Sequence, residues 1–261
     1  MIKINNIKDI DIISYIGNDY DKCLYLYLDY KRYGLTDKNV EYFVEKDEKE
    51  NIICLVMKYY DSLHIYSKNN NYCYNELKEF ILEINPSFIC GEKSIIEKLS
   101  KDLDYETSYG YVRKLVDIDE NIDNIALQIA LEDDFFEITK LLKQDEQLSG
   151  YINFNQLYNQ LLCRFKEKYC RNYIYKLNDK IIGHVCSGAE DNNIVILTDL
   201  IVDKEYRGQG IGKKICKSFC EKMMMEKKDV YLINYTDLTN NLYKKVGFEI
   251  MCNWGKMYRN K

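Results

Sequence analysis

Val202-Asp203-Lys204-Glu205-Tyr206-Arg207-Gly208-Gln209-Gly210-Ile211-Gly212-Lys213 takes an apolar strand into a glycine-studded turn and out into an amphipathic helix. Glycine lacks a Cβ, so Gly208, Gly210 and Gly212 let the backbone make tight turns and approach a ligand closely, with N–H groups pointing outward. Downstream, Ile211, Ile215, Phe219 and Met223 recur every four residues, as do Cys216, Cys220 and Met224 one position along. That period predicts a helix with one buried face, whose N-terminus holds the glycines. Unpaired N–H donors and the positive end of the macrodipole make such a terminus a site for a phosphate or pyrophosphate. Lys213 and Lys214 add positive charge there.

Spacing separates the glycine loops that cradle phosphates. G-x-G-x-x-G fails, because the sixth position from Gly208 is Lys213 and from Gly210 is Ile215. A Walker loop fails too, because Gly212-Lys213 is followed by Lys214 rather than Ser or Thr. What remains is Arg207-x-x-Gly210-x-Gly212 after a hydrophobic strand, which resembles the acetyl-CoA pyrophosphate loop of the GNAT superfamily of N-acetyltransferases. Further on, Asn241-Leu242-Tyr243-Lys244-Lys245-Val246-Gly247-Phe248 is similar to that family's closing helix and following strand.

The order of elements agrees with this resemblance. Ala126 to Ala130 reads as strand, Glu132 to Lys143 and Phe154 to Tyr169 as helices, and Asn172 to Leu177 and Lys180 to Ser187 as strands flanking the turn dipeptide Asn178-Asp179. Ile194 to Val202 is apolar on both alternations except at Thr198 and Asp199, as in a strand covered on both faces. Strand 230–234, helix 238–246 ending at Gly247, and strand 248–258 complete the set. The expected fold class is α/β with a mixed sheet, a GNAT fold in residues 122–261. Residues 1–121 repeat the order as helix, three strands, helix, strand, helix, strand, which predicts a tandem arrangement. Where the second half has its glycine loop, the first has Lys68-Asn69-Asn70-Asn71-Tyr72-Cys73, so that half is expected to be a degenerate GNAT-like domain that binds no CoA and covers the sheet or shapes the acceptor cleft.

Composition narrows the function classes. The 261 residues carry a net charge of −5 with 46% hydrophobic and 30% charged residues, which argues against nucleic acid as the main partner. With neither a long apolar run nor a secretory pattern, a cytoplasmic protein without a membrane span is expected. Ten cysteines without a C-x-x-C pair read as free thiols, several of them in the core. Two histidines and no ligand spacing predict no zinc or other metal site. The 25 tyrosines are an excess that no functional pattern explains.

The resemblance also implies chemistry. Acetyl-CoA as co-substrate would lay its pyrophosphate on the N–H groups of Gly208, Gln209, Gly210, Ile211, Gly212 and Lys213, beside Arg207, and its pantetheine arm along Leu200, Ile201 and Val202. A backbone N–H of that strand would hold the oxyanion, and Tyr243 would protonate the CoA sulfur. The carboxylate common on that strand in the family is missing, since Ile196 and Thr198 stand there; a water held by Thr198, or Glu190 or Asp191, is left as base. Asp199 alternates to the opposite face, where it would anchor a structural hydrogen bond. Thr236 stands at the family's CoA-contacting asparagine, with Asn240 as the other candidate. The leading expectation is acetyl transfer to a primary amine of a small molecule or peptide, by a monomer or homodimer. The other is a non-catalytic acyl-CoA-binding or sensing protein.

Overall fold

The computed structural model describes residues 1–4, 11–37, 39–145, 152–235 and 237–259, of which 237–240 by backbone alone. The chain forms two compact units, Met1–Val112 with Ile250–Lys261, and Arg113–Glu249. The sequence division at 121/122 is therefore not where contacts divide the chain. Ile250–Lys261 group with the first unit because the last strand, β12 (Phe248–Tyr258), pairs there from Trp254↔Glu92 to Tyr258↔Phe88.

The first unit contains β1 (Ile2–Lys3), α1 (Ile12–Ile16), α2 (Leu24–Tyr33), β2 (Val40–Lys46), β3 (Ile52–Tyr59), β4 (Ser62–Tyr66), α3 (Tyr74–Ile84), β5 (Phe88–Glu92), α4 (Lys93–Leu99) and most of β6 (Glu106–Leu115). Period-two alternation decides its layers. On β3, Cys54 and Val56 face Leu77, Phe80 and Ile81 of α3 and Ile95, Ile96 and Leu99 of α4. Leu55 and Met57, on the opposite face, meet Ile12 and Ile16 of α1 and Leu26 of α2. The tyrosine excess has a structural place in that second layer. Tyr42 and Tyr66 are buried in it, and Tyr15, Tyr20, Tyr25, Tyr27, Tyr30, Tyr33 and Tyr59 pack around its rim; the Tyr15 hydroxyl donates to Ile53 C=O and the Tyr66 hydroxyl to Asp19, while that of Tyr42 is buried without a hydrogen-bond partner among the described residues.

The second unit contains β7 (Gln128–Ile129), α5 (Phe135–Leu142), α6 (Phe154–Lys166), β8 (Asn172–Leu177), β9 (Lys180–Glu190), β10 (Ile194–Val202), α7 (Ile211–Met225), β11 (Asp229–Asn234) and α8 (Asp237–Val246). Its strands lie in the order β11-β10-β9-β8-β7. Asn178 and Asp179 take φ of 49° and 62°, the left-handed pair that joins β8 to β9 in a two-residue hairpin. Asn153 and Gln156 close a capping box at the start of α6. One face of the sheet packs α7 through Ile215, Phe219 and Met223 against Val185, Val195 and Leu197. The other packs α5 and α6 against Ile174 and Ile201.

Two features of this unit position a site. β10 and β11 run parallel only from Ile194↔Asp229 to Leu197↔Leu232, while β10 stays paired with β9 as far as Val202↔Gly183. From Thr198 onward, the backbone edge of β10 that faced β11 therefore leaves the ladder. At the same point the β9–β10 register shifts and Asp199 takes φ +53°, a β-bulge.

Candidate active site

Below the splay opens a cavity of about 850 Å³. Leu200, Ile201 and Val202 form its strand wall, and Arg207, Gly208, Gly210, Ile211, Gly212 and Lys213 its loop wall. Tyr243 closes it from α8. Nine of the expected cofactor residues and the expected acid thus surround one space, while Gln209 and Thr198 are not among its described lining residues. Asn240, by its side chain, and residue 236 lie outside the described residues. Gln144, Asp145, Tyr206, Asn241, Leu242 and Lys245 also line the cavity and were not anticipated. Gln144 is held there because its Oε1 accepts the Lys204 N–H at 2.8 Å, a contact 60 residues apart in sequence that no local pattern announces.

The loop is built as its glycines demand. Gly210 is the N-cap of α7 with φ +80° and ψ 0°, and its carbonyl accepts the N–H groups of Lys213 and Lys214 at 3.1 and 3.3 Å. The N–H groups of Ile211 and Gly212 precede the first intrahelical partner and face outward at the positive end of the helix. Two cations behave differently from expectation. Arg207 Nε donates to Val202 C=O at 2.8 Å, which ties the loop to the end of β10. Lys214 is paired with Asp123 at 2.6 Å, so of the two loop lysines it is Lys213 that lines the cavity.

Tyr243 is 8% exposed and its ring meets Phe248 edge-on at 5.9 Å between centroids. Burial raises its hydroxyl well above the ordinary tyrosine value, with Asp199 adding to the shift and Arg113 opposing it. Its helix ends at Gly247, φ +114°, where any Cβ would lie 1.6 Å from Asp117 C=O. Only glycine fits that terminator.

The candidates for proton acceptor separate sharply. Thr198 stands opposite Cys186 in the β9–β10 register and is not among the described residues that line the cavity. Glu190 is gripped by both Arg171 Nε and Nη2 at 2.7 Å, by Ser187 and by Lys228, and these cations hold its carboxyl below the ordinary value against the opposing effect of burial. It also pairs with Val195, three residues or roughly 10 Å short of Thr198 along the strand. Asp191 accepts the N–H groups of Asn193 and Ile194 in its own turn. The bulge corrects the expectation for Asp199. Its carbonyl, not its carboxylate, makes the structural bond, 3.0 Å from His184 Nδ1, while His184 Nε2 stands 2.9 Å from Asn172 Oδ1. The carboxylate is on an exposed residue, and its charge acts on Tyr243, Cys186 and His184.

Comparison with known proteins agrees with this geometry. Residues 168–250 match the family model described as acetyltransferase (GNAT) domain. A solved acetyltransferase of the GNAT family from Colwellia psychrerythraea is similar over 99% of this chain and 98% of its own, at 14% identity and a TM-score of 0.62. A GCN5-related N-acetyltransferase-like protein from Streptococcus suis is similar over 93% of this chain and 100% of its own, at 11% identity and a TM-score of 0.54. A tandem GNAT protein from the clavulanic acid biosynthesis pathway covers 84% of this chain and 82% of its own, at 10% identity and a TM-score of 0.52. These likenesses show the fold, a mixed α/β tandem, and no helix among the described residues is long and apolar enough to cross a membrane. Through the segment that holds the glycine loop and Tyr243, the chain carries a domain of the GNAT acetyltransferase superfamily.

Proposed function

We propose that the second unit transfers acetyl from acetyl-CoA directly to a primary amine. The observation that carries this reading is the meeting of three parts in one cavity: the helix N-terminus at Gly210, the released edge of β10, and Tyr243. The first supplies N–H donors for a pyrophosphate, and the second supplies backbone partners for the amides of a pantetheine arm. Between them the thioester lies beside Leu200 and Tyr243, where a strand N–H receives the oxyanion.

Proton traffic is assigned to two groups, Asp199 and Tyr243. The attacking nitrogen gives its proton to the Asp199 carboxylate through water, because this residue is exposed at the bulge next to Leu200 and its charge reaches Tyr243. Collapse of the tetrahedral adduct breaks the C–S bond and leaves the electron pair on sulfur. A Tyr243 hydroxyl raised by burial stays protonated throughout the neutral range but holds its proton more tightly than a thiol, ordinarily near 8.5. Its part is therefore to donate a hydrogen bond to the developing thiolate, with the proton reaching sulfur later from solvent.

The test is calorimetric acetyl-CoA binding together with CoA release across an amine panel. Gly210→Glu, which puts a side chain at φ +80° and a negative charge at the anion cradle, is expected to abolish binding. Retained binding in that variant would sink the reading. Binding without CoA release on any amine would favour the sensing alternative.

A further inference from the structure

In the first unit, at the end of β2 and the start of α3, Glu45, Cys73 and Glu76 bring a carboxylate oxygen, a thiol sulfur and a second carboxylate oxygen within 4.8 Å of one another. Glu45 is 5% exposed. Its Oε1 accepts the Cys73 N–H at 2.9 Å, and its Oε2 is buried without a hydrogen-bond partner. Burying a carboxylate with one oxygen unsatisfied is costly, and charge compensation from a ligand removes that cost. Cys73 and Glu76 are exposed, so both can turn toward an entering ion.

We propose that Glu45, Cys73 and Glu76 form a binding site for a thiophilic divalent cation of the Zn²⁺ class. One thiolate with two carboxylates suits Zn²⁺, whereas Ca²⁺ and Mg²⁺ select all-oxygen sets. Tetrahedral bonds of roughly 2.0–2.3 Å need these donors only slightly closer than they stand now, and the fourth position is left to water. Cys73 sits at the N-cap of α3, at the start of the helix that also carries Glu76.

The location gives the site its meaning. In chain order, α3 follows β4 as α7 follows β10, so this corner occupies the place that the glycine loop holds in the second unit. There the backbone presents N–H donors to an anion; here Asn69 and Asn70 take the left-handed turns, at φ 59° and 54°, and carboxylates crowd the helix start. A pyrophosphate is repelled and a cation attracted. The expectation of no metal site rested on histidine count and local spacing, and a donor set split between a strand and a helix start 28 residues on escapes both.

Titration of the full, reduced chain with Co²⁺ tests this. The wild type and Cys163→Ser, which removes the other exposed cysteine, are expected to bind one equivalent with an intense thiolate-to-cobalt charge-transfer absorption that Zn²⁺ bleaches. Cys73→Ser is expected to abolish the absorption, and Glu45→Gln and the exposed Glu76→Gln each to weaken affinity at least tenfold. Lack of the absorption in the wild type, or its survival in Cys73→Ser, overturns the site. Acetyl-CoA binding by the second unit is read separately and stays intact in Glu76→Gln.

Discussion

At the residue scale, the proposed chemistry turns on two side chains that sequence reading handled unequally. Tyr243 was legible because it stands in a contiguous motif, four residues before a glycine that nothing else can replace. Asp199, the proposed proton acceptor, was not, because strict alternation assigns it to the far face and the bulge at φ +53° that breaks the alternation is not written locally. Tyr243→Phe is expected to lower kcat about 10²-fold while leaving the acetyl-CoA Kd within twofold, since the hydroxyl is called on only when charge develops on sulfur. Stopped-flow or steady-state assays with a calorimetric Kd measure both halves of that statement. Because its hydroxyl is raised, no loss of kcat from Tyr243 ionisation should appear below pH 10. Asp199→Asn should depress kcat/KM by about 10² or more, and Thr198→Val by less than threefold. The reverse ranking would return the base to the Thr198 water.

At the element scale, strands and helices were legible wherever period and punctuation coincided, as in the runs at 172–177, 194–202 and 248–258 that the structure reproduces. The segment around residues 126–130 shrank to the short β7, and its neighbour begins as a single 3₁₀ turn at Glu132–Asp134 before α5. Tertiary packing of α5 on the sheet, through Phe135 and Ile138, decides those bounds rather than propensity. The splay of β10 from β11 was illegible for the same reason, as pairing partners are not written locally. Gly247 offers an element-scale test that is independent of catalysis. A methyl there overlaps Asp117 C=O at 1.6 Å and forces φ +114° on an L-residue. Gly247→Ala should destabilise the second unit by about 3 kcal/mol or more, read as a lower urea midpoint. An unchanged midpoint would mean that the closing helix ends elsewhere in solution.

At the scale of the whole molecule, the tandem order was readable from repeated helix and strand patterns. The contact boundary was not, because the last strand belongs with the first unit through β5. Both units share one electrostatic habit, the burial of neutral titratable groups, and this sets a pH window. Burial pushes His64 down to about 4 and lowers His184 as well, from an ordinary 6.5. The unfolded chain then binds more protons than the folded one below pH 6.5, so stability falls as pH drops through that range. Asp21 and Glu92, raised by burial, pull the other way only where carboxyls begin to protonate. On the alkaline side, Tyr15, Tyr42, Tyr66 and Tyr243 are all raised by burial above the ordinary 10.0. The thiols of Cys23, Cys54, Cys90 and Cys220 are raised likewise from an ordinary 9.0, and the folded chain keeps protons that the unfolded one loses, so stability is full below about pH 9 and declines as pH rises beyond it. Urea midpoints followed by far-UV circular dichroism should therefore be highest between about pH 6.5 and 9 and fall on both sides. Tyrosinate absorbance should lag in the folded chain and complete its rise only as the fold is lost. Full titration of all 25 tyrosines near pH 10 with the fold intact would contradict the buried tyrosine layer itself.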